Sequence, residues 1–383
     1  MSLSKQQRLL SLDFFRGLTV AAMILVNNPG SWGHIYAPLA HAEWNGCTPT
    51  DLVFPFFLFI VGVSIAYAMG SKKEDPATHS QTIIKAFKRG FILFSLGFVL
   101  AFFPRNFKEF DFVEALQNVR IPGVLQRIGV VFFIASILFL KLSTKNIYRA
   151  LILILFGYWL LMTFVPVPGV GYANLEKETN LGAWLDRTIL TEAHLWKSAK
   201  TWDPEGILST LPAIGTALFG VLVGIYLKRK DIEVGTKMAW LFSTGLAATG
   251  LGLLWDLQFP INKSLWTSSY VLYTGGLATL VLTFCYWIID ANNYNRFTKP
   301  FVVYGVNAIT VFFVSGLLPR LLNMIKIEQS NGDKTGALTW FNQTFFTPYF
   351  SPLNASLAYA IFVVLFFYVI LWVMYKKNII IKV

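Results

Sequence analysis

The chain has 383 residues, of which 55% are hydrophobic and only 14% are charged. Soluble globular domains carry roughly a quarter charged residues, so this composition excludes an ordinary soluble protein and indicates a polytopic membrane protein surrounded by lipid. The net charge of +12 does not predict a nucleic-acid partner, because the basic residues are distributed in the way that orients a membrane protein. Cys47 and Cys285 lack the spacing of metal ligands, so no metal site or disulfide is predicted.

Ten apolar runs are close to or above the ~18 residues that a membrane-spanning helix needs. Backbone groups must be satisfied internally in hydrocarbon, so each run is predicted to be a helix. The sequence therefore predicts an all-α polytopic membrane protein with a single transmembrane domain over residues 1–383. The predicted spans are 10–28, 51–70, 83–103, 121–141, 147–166, 207–227, 238–255, 265–289, 300–318 and 354–375.

Lysine and arginine residues are divided unequally between the two sets of loops. If the N-terminus lies inside, the inner tails and loops hold 19 of these residues and the outer loops hold 11. This is the positive-inside pattern, and it predicts that both termini lie in the cytoplasm. The outer loop 28–50 has no lysine or arginine, and it contains His34 and His41.

Polar side chains inside the predicted spans are costly in a membrane, so each is a candidate for function. Asp13 and Arg16 are three residues apart and could pair on one helix face, or Arg16 could bind a ligand phosphate. Gln126 and Arg127 lie early in the fourth span. There Arg127 could extend to the membrane interface or line a polar cavity.

Two segments have the pattern of helix starts. In "TPTD", Thr48 is predicted as the N-cap, Pro49 as the first helical residue and Asp51 as the partner in a capping box. In "WDPEG", Asp203 is predicted as the cap and Pro204 as the first helical residue. Both acids then have a structural explanation that needs no function.

His41 has no periodic helical position, and its neighbours Trp44 and Asn45 suit sugar binding, because they offer an apolar ring and an amide. Histidine titrates near neutral pH and is the commonest general base. His41 is therefore either an incidental loop residue or a catalytic base, and His34 in the same loop competes with it.

Seven segments occur in this order: SLDFFRGLTVAAMILVNN, HAEWNGCTPTDLVFPFFLFIVG, RIPGVLQRIGVVFF, PVPGVGY, DPEGILSTLPAIGTALFGVLVG, PINKSLWTSSYVLYTGG and GVNAITVFF. Together they resemble the heparan-α-glucosaminide N-acetyltransferase family within the transmembrane acyltransferase superfamily. The resemblance covers nearly the whole chain and is to the shorter bacterial members. It implies a single acyltransferase domain in a bacterial cytoplasmic (inner) membrane, and family members suggest a homodimer.

The resemblance also implies a reaction, in which acetyl from cytosolic acetyl-CoA is transferred to the amine of a terminal glucosamine across the membrane. The family's active-site histidine precedes WNG, which is His41 here. Its oxyanion-stabilising asparagine ends the first helix, which is Asn27 here, with Asn28 as the alternative. The implied contacts with CoA or its tunnel, together with neighbouring candidates, are Arg127, Gln126, Arg16, Asn262, Lys263 and Ser269.

The mechanism expected from these residues needs a base, a group that orients it and a donor for the oxyanion. Asp51 or Glu43 could orient the ring of His41, as in catalytic triads. The remaining candidates, which would contact the amino sugar, are Trp44, Asn45, Glu43 and Glu205.

Two kinetic schemes fit these residues, a ternary complex and a ping-pong route through acetylated His41. We favour the ternary complex, because an oriented base and an oxyanion donor suffice. O-acylation of a cell-envelope glycan would use the same residues with a hydroxyl acceptor. A sugar transporter would also have many helices with intramembrane charges, but it would neither bind acetyl-CoA nor release free thiol.

Overall fold

The computed structural model describes residues 9–103, 111–329, 332 and 334–381. The basic N-terminal tail, which contributes to the predicted orientation, lies largely outside these residues. A short hairpin of β1 (Lys326–Glu328) and β2 (Lys334–Gly336) accompanies the helices. The helices are α1 Leu10–Asn27, α2 Pro49–Lys73, α3 His79–Phe102, α4 Phe112–Gln117, α5 Val124–Lys141, α6 Thr144–Phe164, α7 Leu181–Leu190, α8 Thr210–Leu227, α9 Val234–Asp256, α10 Ser268–Tyr286, α11 Lys299–Val306, α12 Ala308–Met324, α13 Ala337–Phe345 and α14 Pro352–Lys376.

The prediction of an all-α polytopic membrane protein is confirmed. Eight of the predicted spans are helices long and apolar enough to cross a membrane, namely α1, α2, α5, α6, α8, α9, α10 and α14. The span predicted at 300–318 is broken, because α11 and α12 meet at an angle of 77°. The span predicted at 83–103 is the helix α3, where Lys85, Lys88 and Arg89 lie so close together that every 18-residue stretch of the helix contains all three, so it is not among these eight. The described residues thus hold eight apolar spans, or nine with the bent pair, rather than ten.

The centre of the bundle is formed by α2 and α8, which pack against each other closely. A Cβ added at Gly62 would lie 1.9 Å from the carbonyl oxygen of Ala217, and one at Gly220 would lie 2.0 Å from that of Phe59. Glycine on both helices therefore lets the two backbones approach, as small residues do in membrane bundles.

The first turns of α2, α5, α8 and α10 meet on one side of the bundle. The hydroxyl of Tyr270 in α10 donates to the carbonyl oxygen of Asp51 in α2, at 2.6 Å. The guanidinium of Arg127 in α5 donates to the hydroxyl of Ser209, just before α8. The polar residues that precede these four helices are thereby brought into one layer at the end of the bundle.

Candidate active site

Asp51 begins α2 and contacts His41 at the same time. Its Oδ2 accepts hydrogen bonds from the backbone amides of Thr48 and Ala42, both at 3.0 Å, which completes the predicted capping box. Its Oδ1 lies 2.6 Å from Nδ1 of His41. The side chain of Asp51 is 1% exposed, whereas that of His41 is 48% exposed. A buried carboxylate therefore orients a histidine ring whose other edge is accessible to a reactant.

Lys263 is the third member of this group. Its Nζ lies 3.0 Å from Nδ1 and 3.3 Å from Nε2 of His41, and 3.6 Å from Oδ1 of Asp51. The sequence predicted that Lys263 contacts CoA, and the structure places its ammonium beside the imidazole; the contact with CoA stays a prediction. We call His41, Asp51 and Lys263 the histidine cluster.

Backbone pairing between two distant loops holds the histidine cluster together. The backbone amide of Gly46 donates to the carbonyl oxygen of Ile261 at 2.7 Å. The side-chain nitrogen of Asn262 donates to the side-chain oxygen of Asn45 at 3.1 Å. Asn262 is fully buried and also accepts from the amide of Leu265 at 2.8 Å. The interactions of Asn45 and Asn262 in the structure therefore join the loops.

The hydroxyl of Ser269 also makes a hydrogen bond within the protein. It is fully buried, and its hydroxyl donates to the carbonyl oxygen of Phe259 at 2.5 Å. Its assignment to CoA remains a prediction that the burial of its side chain does not support.

Burial lowers the pKa of the Lys263 ammonium, while the carboxylates of Asp51 and Glu205 act to raise it. For Glu205, the neighbouring charges outweigh the effect of burial on the pKa. Burial alone would raise its pKa, but Arg120, Arg127 and Lys263 hold the pKa of Glu205 below its usual value. The layer is therefore a network of opposite charges that compensate one another in a poorly solvated place.

Arg127 lies inside the protein at 2% exposure, so it does not extend to the membrane interface. Its guanidinium donates to the carbonyl oxygen of Gly206 at 3.1 Å and to the hydroxyl of Ser209, and it stands 5.2 Å from the ring centre of Trp266. The neighbouring Gln126 faces a different space, a cavity of about 610 Å³ that is lined by residues of α3, α5 and α12. The two adjacent residues therefore lie in different environments, Arg127 against Gly206 and Ser209 and Gln126 at the cavity.

Asp203 does not begin a helix, because α8 starts only at Thr210. Its carboxylate instead accepts two hydrogen bonds from the guanidinium of Arg120, at 2.6 and 2.8 Å, and Arg120 also contacts Glu205 at 2.5 Å. Two buried carboxylates need a cation nearby, and Arg120 supplies it, while Oδ1 of Asp203 also accepts the backbone amide of Glu205 at 2.9 Å. Arg120 was not predicted from the sequence. The available signal was its position directly before one predicted span, with the acids Asp203 and Glu205 directly before another.

Trp44 lies in a cluster of aromatic side chains near the histidine cluster. Its indole nitrogen donates to the carbonyl of Leu175 at 3.0 Å, and its ring packs edge-on against Trp202 at 5.1 Å. Trp202 in turn packs against Trp196 at 5.6 Å. Glu43 is exposed, and the described polar contacts of His41 go to Asp51 and Lys263 rather than to Glu43.

Asn27 lies at the end of α1, as predicted, but it faces a separate cavity. This cavity has a volume of about 220 Å³ and is lined by Asn27, Asn28, Trp32 and Asn342, without His41. The amide of Asn28 donates to the carbonyl of Ile24 at 2.8 Å. The oxyanion role of either asparagine therefore remains a prediction.

A third cavity opens between the opposite ends of the helices, with a volume of about 340 Å³. It is lined by Arg16, Ser64, Arg89 and mostly apolar side chains, both aliphatic and aromatic. Arg16 contacts Asp13 at 3.2 Å, as predicted, and donates to Ser64 at 2.8 Å. Two arginines over an apolar slot have the chemistry that binds phosphate beside an alkyl chain.

Known proteins share much of this sequence. Two curated relatives, from Homo sapiens and Mus musculus, are both named heparan-alpha-glucosaminide N-acetyltransferase. The human protein is 32% identical over 353 residues, which covers 80% of this chain and 52% of the relative. The mouse protein is 32% identical over 357 residues, covering 81% and 53%. The chain thus spans about half the length of the curated relatives it matches.

A family described as "Heparan-alpha-glucosaminide N-acetyltransferase, catalytic" matches residues 8–252. This range contains His41, Asp51, Arg120 and Glu205, while Lys263 lies beyond it. Because the match covers well over half of the sequence, the chain belongs to the catalytic family of the heparan-alpha-glucosaminide N-acetyltransferases.

Proposed function

We propose that this protein transfers acetyl from cytosolic acetyl-CoA to the amine of an amino sugar on the extracytoplasmic side of a bacterial cytoplasmic membrane. The observation that carries the proposal is the histidine cluster, where a buried carboxylate orients an accessible imidazole. Family membership supports acetyl transfer as the reaction. The charge asymmetry of the loops supports cytoplasmic termini and, with them, an extracytoplasmic position of His41.

The imidazole of His41 is the general base of the proposed mechanism. With Nδ1–H donated to Asp51, Nε2 carries the free lone pair and takes a proton from the attacking amine. The amine forms a bond to the thioester carbonyl carbon, the carbon–sulfur bond breaks, and the thiolate is protonated. Direct transfer in a ternary complex needs no covalent intermediate on His41.

Acetyl-CoA supplies the activated acetyl group, and its charged nucleotide is too polar to cross the membrane. Arg16 and Arg89 at the inner cavity would hold its phosphates, and the apolar wall of that cavity suits the pantetheine arm. The outer aromatic group of Trp44 and Trp202 offers apolar faces for a sugar ring.

The test is thiol release from acetyl-CoA by detergent-purified protein with glucosamine as acceptor. We expect turnover by the wild type and a loss of kcat of about 10²–10⁴-fold in His41→Ala, with CoA binding retained. His34→Ala is the matched control, since His34 is exposed in the same loop and its ring contacts Ser31 at 3.3 Å. It should keep wild-type turnover.

Other outcomes would change the proposal in defined ways. Wild-type protein that binds CoA and acetylates a glycan hydroxyl, but no amine, would replace N-acetylation by O-acylation. Wild-type protein that does not bind CoA would overturn acyl transfer and favour the transporter. Equal activity in His41→Ala and wild type would remove the histidine cluster from the mechanism.

A further inference from the structure

Lys263 lies close to the proposed base without blocking it. Its Nζ is almost equally distant from the two ring nitrogens of His41, at 3.0 and 3.3 Å. An atom at such distances from both nitrogens lies over the ring, off the axis of either lone pair. The Nε2 lone pair therefore stays open to an acceptor amine.

The loop that carries Lys263 is held in place on both sides. Asn262 is joined to Asn45, and Trp266 donates its indole hydrogen to the hydroxyl of Thr216 at 3.0 Å. Trp266 is 1% exposed and has a φ of +52°, a left-handed conformation that a bulky residue adopts only when its surroundings require it. The strained backbone is thus stabilised by packing that fixes the position of Lys263.

The charges around the imidazole oppose each other. Asp51 alone, 2.6 Å from Nδ1, would favour the protonated ring and so would remove the free lone pair. The ammonium of Lys263 favours the neutral ring. Among the described residues, Asp51, Glu205 and Cys47 also act electrostatically on this ammonium. With Asp51 ionised and Lys263 charged, these two residues and a neutral His41 have no net charge.

We propose that Lys263 is a positioning residue whose ammonium keeps His41 uncharged, so that the imidazole can accept a proton at neutral pH. The inference rests on the proposed function, because it assigns a task to the base of that reaction. It predicts that loss of the positive charge affects the pH range of activity more than the maximal rate. If Lys263 had only a structural role or only bound CoA, loss of its charge would not shift the pH range of activity.

The experiment compares kcat/KM against pH for acetyl transfer to glucosamine in Lys263→Met, Lys263→Arg and wild type. In Lys263→Met we expect the acidic limb of the profile to move up by roughly 1–2 pH units. Lys263→Arg keeps the charge and should keep the wild-type limb. Lys326→Met is the matched control, because Lys326 is an exposed lysine of β1.

A second readout does not depend on activity. NMR of protein carrying ¹³C-labelled histidine follows the four histidines with pH, and His41→Gln identifies the signal of His41. We expect the titration midpoint of His41 to rise in Lys263→Met and to stay in Lys263→Arg. An unmoved midpoint, or activity lost equally at every pH, would overturn the inference.

These experiments distinguish a failure of the proposed acetyl transfer from a failure of the proposed role of Lys263. If the wild type acetylates no amino sugar while the His41 midpoint still responds to Lys263, the proposed function fails and the coupling stands. If acetylation occurs and the midpoint does not respond, the proposed function stands and Lys263 is not the positioning residue. A higher KM for acetyl-CoA with an unmoved acidic limb would instead return Lys263 to CoA binding.

Discussion

At the scale of single residues, Asp51 uses its two oxygens for different purposes. Oδ2 satisfies two backbone amides at the start of α2, and Oδ1 orients His41. A cap is needed at that position in any case, because the first amides of a helix have no partner within it. The same carboxylate that begins a membrane helix therefore also fixes the ring of the proposed base.

Asp186 is a buried acid that interacts electrostatically with Asp203 and Arg127. It belongs to α7, is 3% exposed, and accepts a hydrogen bond from the amide of Ile207 at 2.8 Å. Burial, together with the nearby carboxylate of Asp203, raises the pKa of Asp186 to about 7, although the amide of Ile207 acts to lower it. Between pH 3.8 and about 7 the folded protein thus holds a proton on Asp186 that the unfolded chain has released.

This difference predicts how stability depends on pH. Between the ordinary pKa of 3.8 and about 7, the folded state binds more protons than the unfolded state, so stability falls as pH rises through this window. Asp186→Asn stays neutral and should lose this dependence, gaining up to about 4 kcal/mol over wild type at pH 8. The measurement is Tm in detergent from pH 4 to pH 8.

The control for this prediction is Asp231→Asn, which changes an exposed acid in an inner loop. It should leave the pH dependence of Tm unchanged. Parallel Tm curves for wild type and Asp186→Asn would show that Asp186 is ionised in the folded protein.

At the scale of elements, the contact between α2 and α8 positions the site. Gly220→Ala would place a Cβ 2.0 Å from the carbonyl oxygen of Phe59, so the helices must separate. We expect a loss of about 1–3 kcal/mol of stability, as for other overpacked cores. The measurement is Tm of the purified variant, together with its thiol-release activity.

Gly157→Ala provides the matched control, because a Cβ at Gly157 in α6 meets nothing within 4 Å. Alanine is also the better helix former, so the Tm of this variant should equal or exceed that of wild type. Equal effects of the two substitutions would show that the close approach of α2 and α8 does not limit stability.

At the scale of the whole molecule, the proposed reaction requires that His41 and the inner cavity lie on opposite sides of the membrane. Glu43→Cys should react with a membrane-impermeant maleimide in intact cells. Lys145→Cys, at an exposed position in the first turn of α6, should react only after permeabilisation. The reverse pattern would invert the orientation and place the histidine cluster in the cytoplasm.

The two native cysteines should contribute little to this labelling. Burial, with the nearby charge of Asp51, raises the pKa of the Cys47 thiol to about 12, so the reactive thiolate is scarce at neutral pH. Cys285 is buried within α10. Wild-type protein in the same cells measures the remaining background.

Family membership and the helical membrane fold could be predicted from the sequence, as could the cap at Asp51 and the pair of Asp13 and Arg16. The helices, the cap and the ion pair depend on residues close together in the chain, where helix geometry and hydropathy act directly. Asp203 shows the limit of this reasoning. Its local pattern indicated a cap, but a guanidinium 83 residues away determined its role.

By itself, the sequence determined that the chain lies in a membrane, where most of its helices run and which loop contains His41. Only the tertiary structure decided what surrounds that histidine, because Lys263 comes from 222 residues further along the chain. It also placed Asn27 at a cavity that His41 does not line, and it broke the ninth span at 77°. The physical reason is that local patterns determine helices, whereas the contacts between loops depend on how the whole bundle packs.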